Sequence, residues 1–388
     1  MPSPSKVVLM VILDSYEHDP RLEKEIASLV RAGCGVYVLG WNRFGTAPSE
    51  EERGGAIIRR AEVRSPRGSR WRTLLRLPRL YAWLWRQARA IDYDVIICHE
   101  IYSWPLGWLL KLVKRRKTIF DAHEPYAEQI VGILPGTGLF LGLLLRLEAL
   151  LARRADALVT VSPRMVARYR GMGIRRVVYV PNVPLLAPET PPVRERRDND
   201  FVIGRVGVIS PRYSGVEALV AVAKLLRERG APVKVVLGGP VTNAWDEEFR
   251  RLLRECHDFV GYIGIVPVAR LRDVTASFDV AASLFEPVIP KADYGYSTKI
   301  FDAMAAGVPV VSTRAAEDGL LVEETGCGIV VEYPFDYGKI ADQLLVLGRE
   351  PETRRRYGVN GRRAIELRFN WSVYEAAFLS CVGVTEAR

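Results

Sequence analysis

Cysteine is scarce and unorganised in this chain: Cys34, Cys98, Cys256, Cys327 and Cys381 are odd in number and far apart, with no Cys-x-x-Cys pair. That excludes a disulfide framework and the common zinc ribbons, and the thiols read as reduced packing residues of a cytosolic protein. Histidine is scarcer still, with four residues, at 18, 99, 123 and 257. The pairs His99-Glu100 and His123-Glu124 each end a strand-like run, but neighbours on an extended segment point oppositely, so neither pair makes a metal-ligand set. No metal is expected. Asp92-Tyr93-Asp94 and Asp198-Asn199-Asp200 look like a metal-binding Asp-x-Asp only superficially and read as solvated turns. Long apolar runs are lacking too, which excludes a membrane span, and the polar, proline-containing start argues against a signal peptide. Neither a short repeat nor a low-complexity segment is present.

What remains is an ordinary globular composition, 49% apolar over 388 residues. That length exceeds what one hydrophobic core serves and favours two domains. Near-continuous apolar runs at 7–13, 36–39, 95–98, 118–121, 157–161 and 177–180 suit a parallel sheet covered on both faces. Between the first two, Asp19-Pro20 supplies an N-cap and a first-turn proline, and Gly33 stops the helix. A second series of strands falls at 202–206, 233–237, 260–263, 280–283, 310–312 and 329–331, with helices near 216–229 and 336–347. The proline-rich, charged stretch at 183–200 separates the two. The expected architecture is α/β: a Rossmann-like domain at 1–184, a linker at 185–200, a second Rossmann-like domain at 201–368, and a helix at 369–388 returning to the first domain, with a cleft between two doubly wound halves.

Charge is uneven. Residues 1–185 carry 29 Lys/Arg against 17 Asp/Glu, and the remainder 26 against 28, so the net +10 belongs to the N-terminal half. Such asymmetry marks a surface that meets an anionic partner. Between Arg64 and Arg89 lie eight arginines and no acid, interleaved with Trp71, Trp83, Trp85 and leucines, and the run from Lys111 to Lys117 adds five cations. This composition fits an interfacial segment on an anionic membrane surface. Nucleic acid competes as a partner but is disfavoured, since no nucleic-acid module is present. The uncharged run at 130–145 is broken by Pro135-Gly136; it dips into a bilayer or packs on the domain core.

The most informative segment is 297–311, STKIFDAMAAGVPVV. Ser297 reads as an N-cap, Gly307 as a stop and 308–312 as a buried strand. Lys299 in the first turn opposes the helix dipole unless an anion sits nearby. Asp302, three residues on, shares its face, where a carboxylate can accept hydrogen bonds from ribose hydroxyls. An exposed Lys299–Asp302 ion pair is the other reading.

This segment resembles the helix-and-strand signature of the glycosyltransferase family 4 group of GT-B enzymes. Residues 153–182, Asp19-Pro20-Arg21, Asp121-Ala122-His123-Glu124 and residues 235–240 are similar to that family's other landmarks, in order along nearly the whole chain. The resemblance implies a GT-B fold and a retaining glycosyltransferase of hexosyltransferase type, moving a sugar from a nucleoside diphosphate sugar to a lipid-linked, lipid or glycan acceptor. It requires no metal and no other cofactor. It places the diphosphate on the amides of Ser297, Thr298 and Lys299 and on the Lys299 ammonium, and the ribose on Asp302. Arg212 is the only cation of the second phosphate loop, at 207–215, and Tyr262, Gly264 and Ile265 fall where the family holds the base, though they also read as ordinary core and turn. The catalytic set is then His123, Lys299 and Arg212, and the acceptor side Ser15, Tyr16, His123 and Glu124.

The chain departs from the pattern at several points, among them a phosphate loop one residue longer and Asp302 in place of the second of two glutamates. Val208 and Ser214 stand where the family usually has Arg and Lys, and Tyr294 replaces the first of two glutamates, leaving the backbone of Tyr294 and Gly295 as sugar donors. Glu286 is the nearest other carboxylate and receives no role. Two rivals follow: a nucleotide-sugar epimerase on the same fold, and a non-catalytic membrane or nucleic-acid binding protein with an eroded site. The expected location is cytoplasmic, peripheral at the inner membrane face.

Overall fold

The computed structural model describes residues 4–17, 19–65, 70–133, 137–186, 200–211, 214–242, 245–287 and 294–384. It divides into two compact units, the first running to Asn182 and taking up the chain again from Tyr374, the second covering Val183–Val373. Residues 187–199, the middle of the expected linker, lie outside the described residues.

The first unit contains β1 (Val7–Val11), α1 (Pro20–Arg31), β2 (Gly35–Trp41), β3 (Glu50–Arg53), β4 (Ala56–Ala61), α2 (Arg70–Leu74), α3 (Leu77–Ala90), β5 (Val95–His99) and α4 (Glu100–Lys114), then β6 (Lys117–Ala122), α5 (Tyr126–Ile133), α6 (Leu141–Ala152), β7 (Ala157–Thr160), α7 (Pro163–Gly171) and β8 (Val177–Tyr179). Its sheet has the order β3-β4-β2-β1-β5-β6-β7-β8 and is parallel except for β3 against β4. The apolar strands are buried on both faces, as their runs require. The β3–β4 hairpin carries no such run, because EEER and the arginines of AIIRRA break the pattern, and it was not foreseen. Asp19 caps α1 as its position predicts, accepting from the Arg21 and Leu22 amides at 2.9 and 3.1 Å, an arrangement worth about 1 kcal/mol.

The second unit contains β9 (Phe201–Val206), α8 (Val216–Glu228), β10 (Val233–Gly238), α9 (Asp246–Glu255), β11 (Val260–Tyr262), α10 (Val268–Ala276), β12 (Val280–Ser283) and α11 (Thr298–Ala305), then β13 (Val310–Thr313), α12 (Ala316–Thr325), β14 (Gly328–Val331), α13 (Tyr337–Arg349) and α14 (Pro351–Leu367). The last helix, α15 (Trp371–Val382), begins here, with the Trp371 amide donating to the Pro184 carbonyl at 2.9 Å. From Tyr374 it belongs to the first unit, where Glu375 pairs with Arg31 and the Tyr374 ring meets that of Tyr179 at 5.4 Å. The second sheet is fully parallel, in the order β11-β10-β9-β12-β13-β14.

In each sheet the order of the parallel strands reverses, between β1 and β5 and between β9 and β12. Open α/β sheets bind ligands at the carboxyl ends of the strands flanking such a reversal. All five cysteines are free and buried, matching the packing role expected for them. The segment between Arg64 and Arg89 is amphipathic: Leu80, Leu84 and Ala88 are buried and Trp83 and Trp85 half-buried, while Arg72, Arg76, Arg79, Arg86, Arg89, Leu74 and Leu75 are exposed; residues 66–69 and the Trp71 side chain lie outside what is described. Among the described residues no helix is long and apolar enough to cross a membrane.

Candidate active site

In the second unit the carboxyl ends of β9, β10 and β11 meet at two glycines. Gly207 follows β9 with φ +138°, Gly239 follows β10 with φ +121°, and both conformations favour glycine. A Cβ on Gly239 would sit 2.2 Å from the Gly207 carbonyl oxygen, and one on Gly207 would sit 2.3 Å from Lys299 Cε and 3.2 Å from its Nζ. Only glycine fits at either position. The Lys299 side chain, from the first turn of α11, therefore lies directly against the loop that follows β9. Lys299 and Asp302 line one small cavity with Arg205 and Thr275, so the helical spacing does put them on a common face.

Arg205 was not foreseen, because an arginine inside an apolar strand reads as an interruption. It is buried, and its guanidinium donates to the carbonyls of Gly207 and Val208, at 3.4 and 3.0 Å, fixing the loop from below. At the loop's other end Gly215, with φ +65°, abuts the Leu284 carbonyl, where a Cβ would be 1.7 Å from the oxygen. Arg212, between them, lies outside the described residues.

The start of α11 differs from expectation in two respects, the first being that the Ser297 side chain makes no capping hydrogen bond. The Ser297 amide is already engaged, donating to Asp318 Oδ1 at 2.7 Å. Asp318 is buried at the head of α12, and burial pushes its carboxyl up to about 7, against the lowering effect of the Ser297 amide and Lys299. The amides of Thr298 and Lys299 belong to the first turn, which has no preceding turn to bond to. Tyr262 ties the base side to the glycines, its hydroxyl donating to the Gly239 carbonyl at 2.7 Å. Beside it Ile265 is 71% exposed and Gly264 has open space around its Cα. Gly295 is equally open, next to a half-buried Tyr294.

In the first unit the corresponding edge is organised around Asp121. Parallel pairing of β5 with β6 sets His99 opposite Asp121, and a period of two along the strand sets His123 on the same side as Asp121. His99 Nδ1 lies 3.2 Å from Asp121 Oδ2, and His123 Nε2 lies 2.9 Å from the same oxygen, at ion-pair distance but off the hydrogen-bond axis. Arg21 of α1 holds both carboxylate oxygens, Nε to Oδ2 at 3.0 Å and Nη2 to Oδ1 at 2.9 Å, and its Nη1 donates to the Val180 carbonyl. Glu25, one turn further, sits 3.1 Å from Arg21 Nε and 3.6 Å from His99 Nε2.

The buried charges in this cluster balance. Burial opposes ionisation of Asp121, yet Arg21 and His123 hold its carboxyl well below the usual range. Burial raises the Glu25 carboxyl well above it and lowers the His99 imidazole, each toward its neutral form. One guanidinium then faces one carboxylate. His99, Asp121 and His123 offer ligand atoms within 4.8 Å of one another, close enough to hold a metal ion. With Arg21 already bidentate on Asp121, a cation there would meet a guanidinium.

His123 is 20% exposed at the sheet edge and its amide donates to the Tyr126 hydroxyl at 3.2 Å. Glu124 accepts from Gln129, and Ser15 is half-buried in the loop after β1. Tyr16 departs from its expected acceptor role: it is buried, with φ +48°, its ring under the Arg53 guanidinium at 4.4 Å and its hydroxyl pushed up to about 12 by burial. Its side chain fastens the loop instead of lining the edge. Glu100, which follows β5 with φ +64°, was also missed. Burial raises its carboxyl, with His123 lowering it and Glu124, Asp14 and Asp19 raising it.

Residues 19–183 match the family described as glycosyl transferase 4-like domain, and residues 200–349 match glycosyl transferases group 1. The chain belongs to the group 1 glycosyltransferases. Solved structures with the same architecture include the sucrose-phosphate synthase of Thermosynechococcus elongatus, 18% identical over 95% of this chain and 96% of that one, with a TM-score of 0.77. HepE of Anabaena, in complex with UDP and glucose, is 18% identical over 97% and 99%, at 0.72. A trehalose-6-phosphate protein from E. coli, bound with UDP-2-fluoro glucose, is 13% identical over 98% and 100%, at 0.72. At these identities the likeness establishes the GT-B fold. No curated protein matches the chain in sequence.

Within this glycosyltransferase, each of these side-chain clusters lies beside the strand-order reversal of its own sheet. The second unit gathers a lysine, a glycine cradle and helix amides, the groups that hold phosphate. The first gathers a histidine among carboxylates, the groups that hold hydroxyls.

Proposed function

We propose that this glycosyltransferase moves a hexose from a nucleoside diphosphate sugar to a hydroxyl of a lipid-linked or glycan acceptor, with retention of configuration and without a metal ion. The observation that carries the reading is the Lys299 side chain packed against Gly207, over the cradle that Gly239 completes. As the glycosidic bond to the diphosphate breaks, negative charge collects on the leaving oxygens. A lysine ammonium and first-turn amides of α11 are suited to stabilise it there. Asp302 on the same face holds the ribose, and Tyr262 with Ile265 frames the base. Arg212 adds a second cation to the diphosphate.

On the acceptor side His123 has its Nε2 toward Asp121, which leaves Nδ1 for a sugar hydroxyl. No enzymic nucleophile is needed: the departing phosphate oxygen takes the acceptor proton on the face from which it leaves. UDP bound to HepE and UDP-2-fluoro glucose bound to the E. coli protein favour a uridine donor.

Calorimetry of the chain with UDP-, GDP- and ADP-sugars tests the donor site. One of them is expected to bind, and Lys299→Ala and Asp302→Ala to weaken it by roughly tenfold or more, the worth of one charge-assisted contact. Wild-type affinity in both variants would sink the assignment. Product analysis with and without acceptor separates transfer from epimerisation.

A further inference from the structure

The anionic partner announced by the charge of the first half is not met at the His123 edge, which is acidic. Two neighbouring helices of the first unit offer another place. On α4, Tyr102, Leu109, Leu112 and Val113 recur at helical spacing and are all exposed. On α6, which packs against it, Leu143, Leu147 and Leu150 do the same, and Phe140 extends the stripe at its start. Apolar stripes at this spacing normally face a core. Here they face outward, with Leu112 and Leu143 each about three-fifths exposed, at 60% and 63%.

Where these helices end, a groove of about 790 Å³ opens at the amino ends of β6 and β7, the opposite edge of the sheet from His123. Lys111, Arg115, Arg116, Lys117, Arg153 and Arg154 line it, against the single carboxylate of Asp156, and Arg154 stacks on the Trp108 indole at 5.7 Å. Lys111 pairs with Asp156 and Arg116 with Asp92, whereas among the described residues no ion pair engages Arg115 or Arg154.

We propose that this face docks on an anionic phospholipid bilayer, the α4 and α6 stripes entering the acyl boundary and the groove binding lipid phosphate. Aliphatic stripes beside clustered arginines are the chemistry of an interfacial surface. A second copy of the chain would set one basic rim against another across a two-fold axis, and like charge opposes that. Nucleic acid would use stacking aromatics along a groove, and the exposed residues here are mainly leucines.

Flotation of the full chain with vesicles of phosphatidylcholine alone, and with one-third phosphatidylglycerol, tests this without any sugar nucleotide, so it stands or falls apart from the transfer reaction. The chain should float with the anionic vesicles at physiological salt and not with the neutral ones. Arg115→Glu with Arg154→Glu should lower partitioning by roughly tenfold or more, given the worth of each cation near such a surface. Leu112→Asp with Leu143→Asp should do so too, while all variants keep the wild-type melting temperature. A wild type that stays with the lipid-free fraction overturns the proposal, as do variants that float unchanged. So does a dimer broken by Leu112→Asp, or a retained oligonucleotide, without vesicle binding.

Discussion

Arg21 and Asp121 meet end to end in the buried edge of the first sheet, one guanidinium holding both oxygens of one carboxylate at 3.0 and 2.9 Å. Removing one partner of such a pair leaves the other charged and unsolvated, at a cost of about 3–5 kcal/mol. Asp121→Asn should therefore destabilise the first unit on that scale. Glu25→Gln, beside it, should change stability by about 1 kcal/mol or less, since burial raises the Glu25 carboxyl and so favours the neutral form that Gln mimics. Denaturant titration followed by a first-unit probe reads both. Because the folded Asp121 carboxyl lies well below its ordinary 3.8, its contribution is complete above that value and is lost as pH falls. In the Asn variant that acid-side slope should be shallower. Equal losses from the two substitutions would contradict the charge assignment.

Gly207 and Lys299 should behave as one unit toward the donor. Gly207→Ala places a Cβ 2.3 Å from Lys299 Cε, at a φ of +138° that alanine resists, so the lysine must leave its position. The single variants Gly207→Ala and Lys299→Ala should each weaken nucleotide-sugar binding by roughly tenfold or more, and the double variant little further, giving a coupling on the order of 1 kcal/mol. Fully additive losses would mean that the contact between them is incidental.

The parts that were legible in the sequence are those governed by periodicity. Continuous apolar runs placed both parallel sheets, and Asp19-Pro20 and Ser297 located the starts of α1 and α11. The β3–β4 hairpin stayed hidden because its edge position lets charged residues replace the pattern. The Asp121 cluster is half visible: the histidines stand out as His-Glu pairs, and neighbours on a strand diverge. The pairs that matter are His99 with Asp121 across strands and Asp121 with His123 two residues apart, and only the register of β5 on β6 reveals the first. Arg205 and Tyr16 needed burial to be read correctly, and no sequence period carries burial of a lone polar residue.

Arg60 predicts a change in loop order more than in chemistry. It is buried, donates to the carbonyls of Ser15, Tyr16 and Pro48, and pairs with Glu51. Arg60→Met keeps the packing but leaves those acceptors unsatisfied, at about 1–3 kcal/mol each where they stay buried. Residues 14–17 should then exchange amide hydrogen faster, with the β1 core unchanged. Unaltered exchange there would show that Arg53, which also donates to the Tyr16 and Glu17 carbonyls, suffices.

Asp318 gives the donor site a pH dependence with a definite sign. Its carboxyl rises from the ordinary 3.8 to about 7 in the folded chain. Below pH 4 it is protonated folded or unfolded and has no effect. Between about 4 and 7 the unfolded group ionises first, so the folded state loses stability as pH rises; above 7 the deficit is constant, at most about 4 kcal/mol for a shift of this size. Asp318→Asn keeps an acceptor for the Ser297 amide and cannot ionise, so its stability relative to wild type should grow across that window. A diphosphate at the start of α11 adds negative charge beside the same carboxyl. Donor affinity of the wild type should thus fall as pH passes 7, and that of Asp318→Asn should fall less. Parallel affinity profiles for the two proteins between pH 6 and 8 would place the diphosphate away from the Ser297 amide.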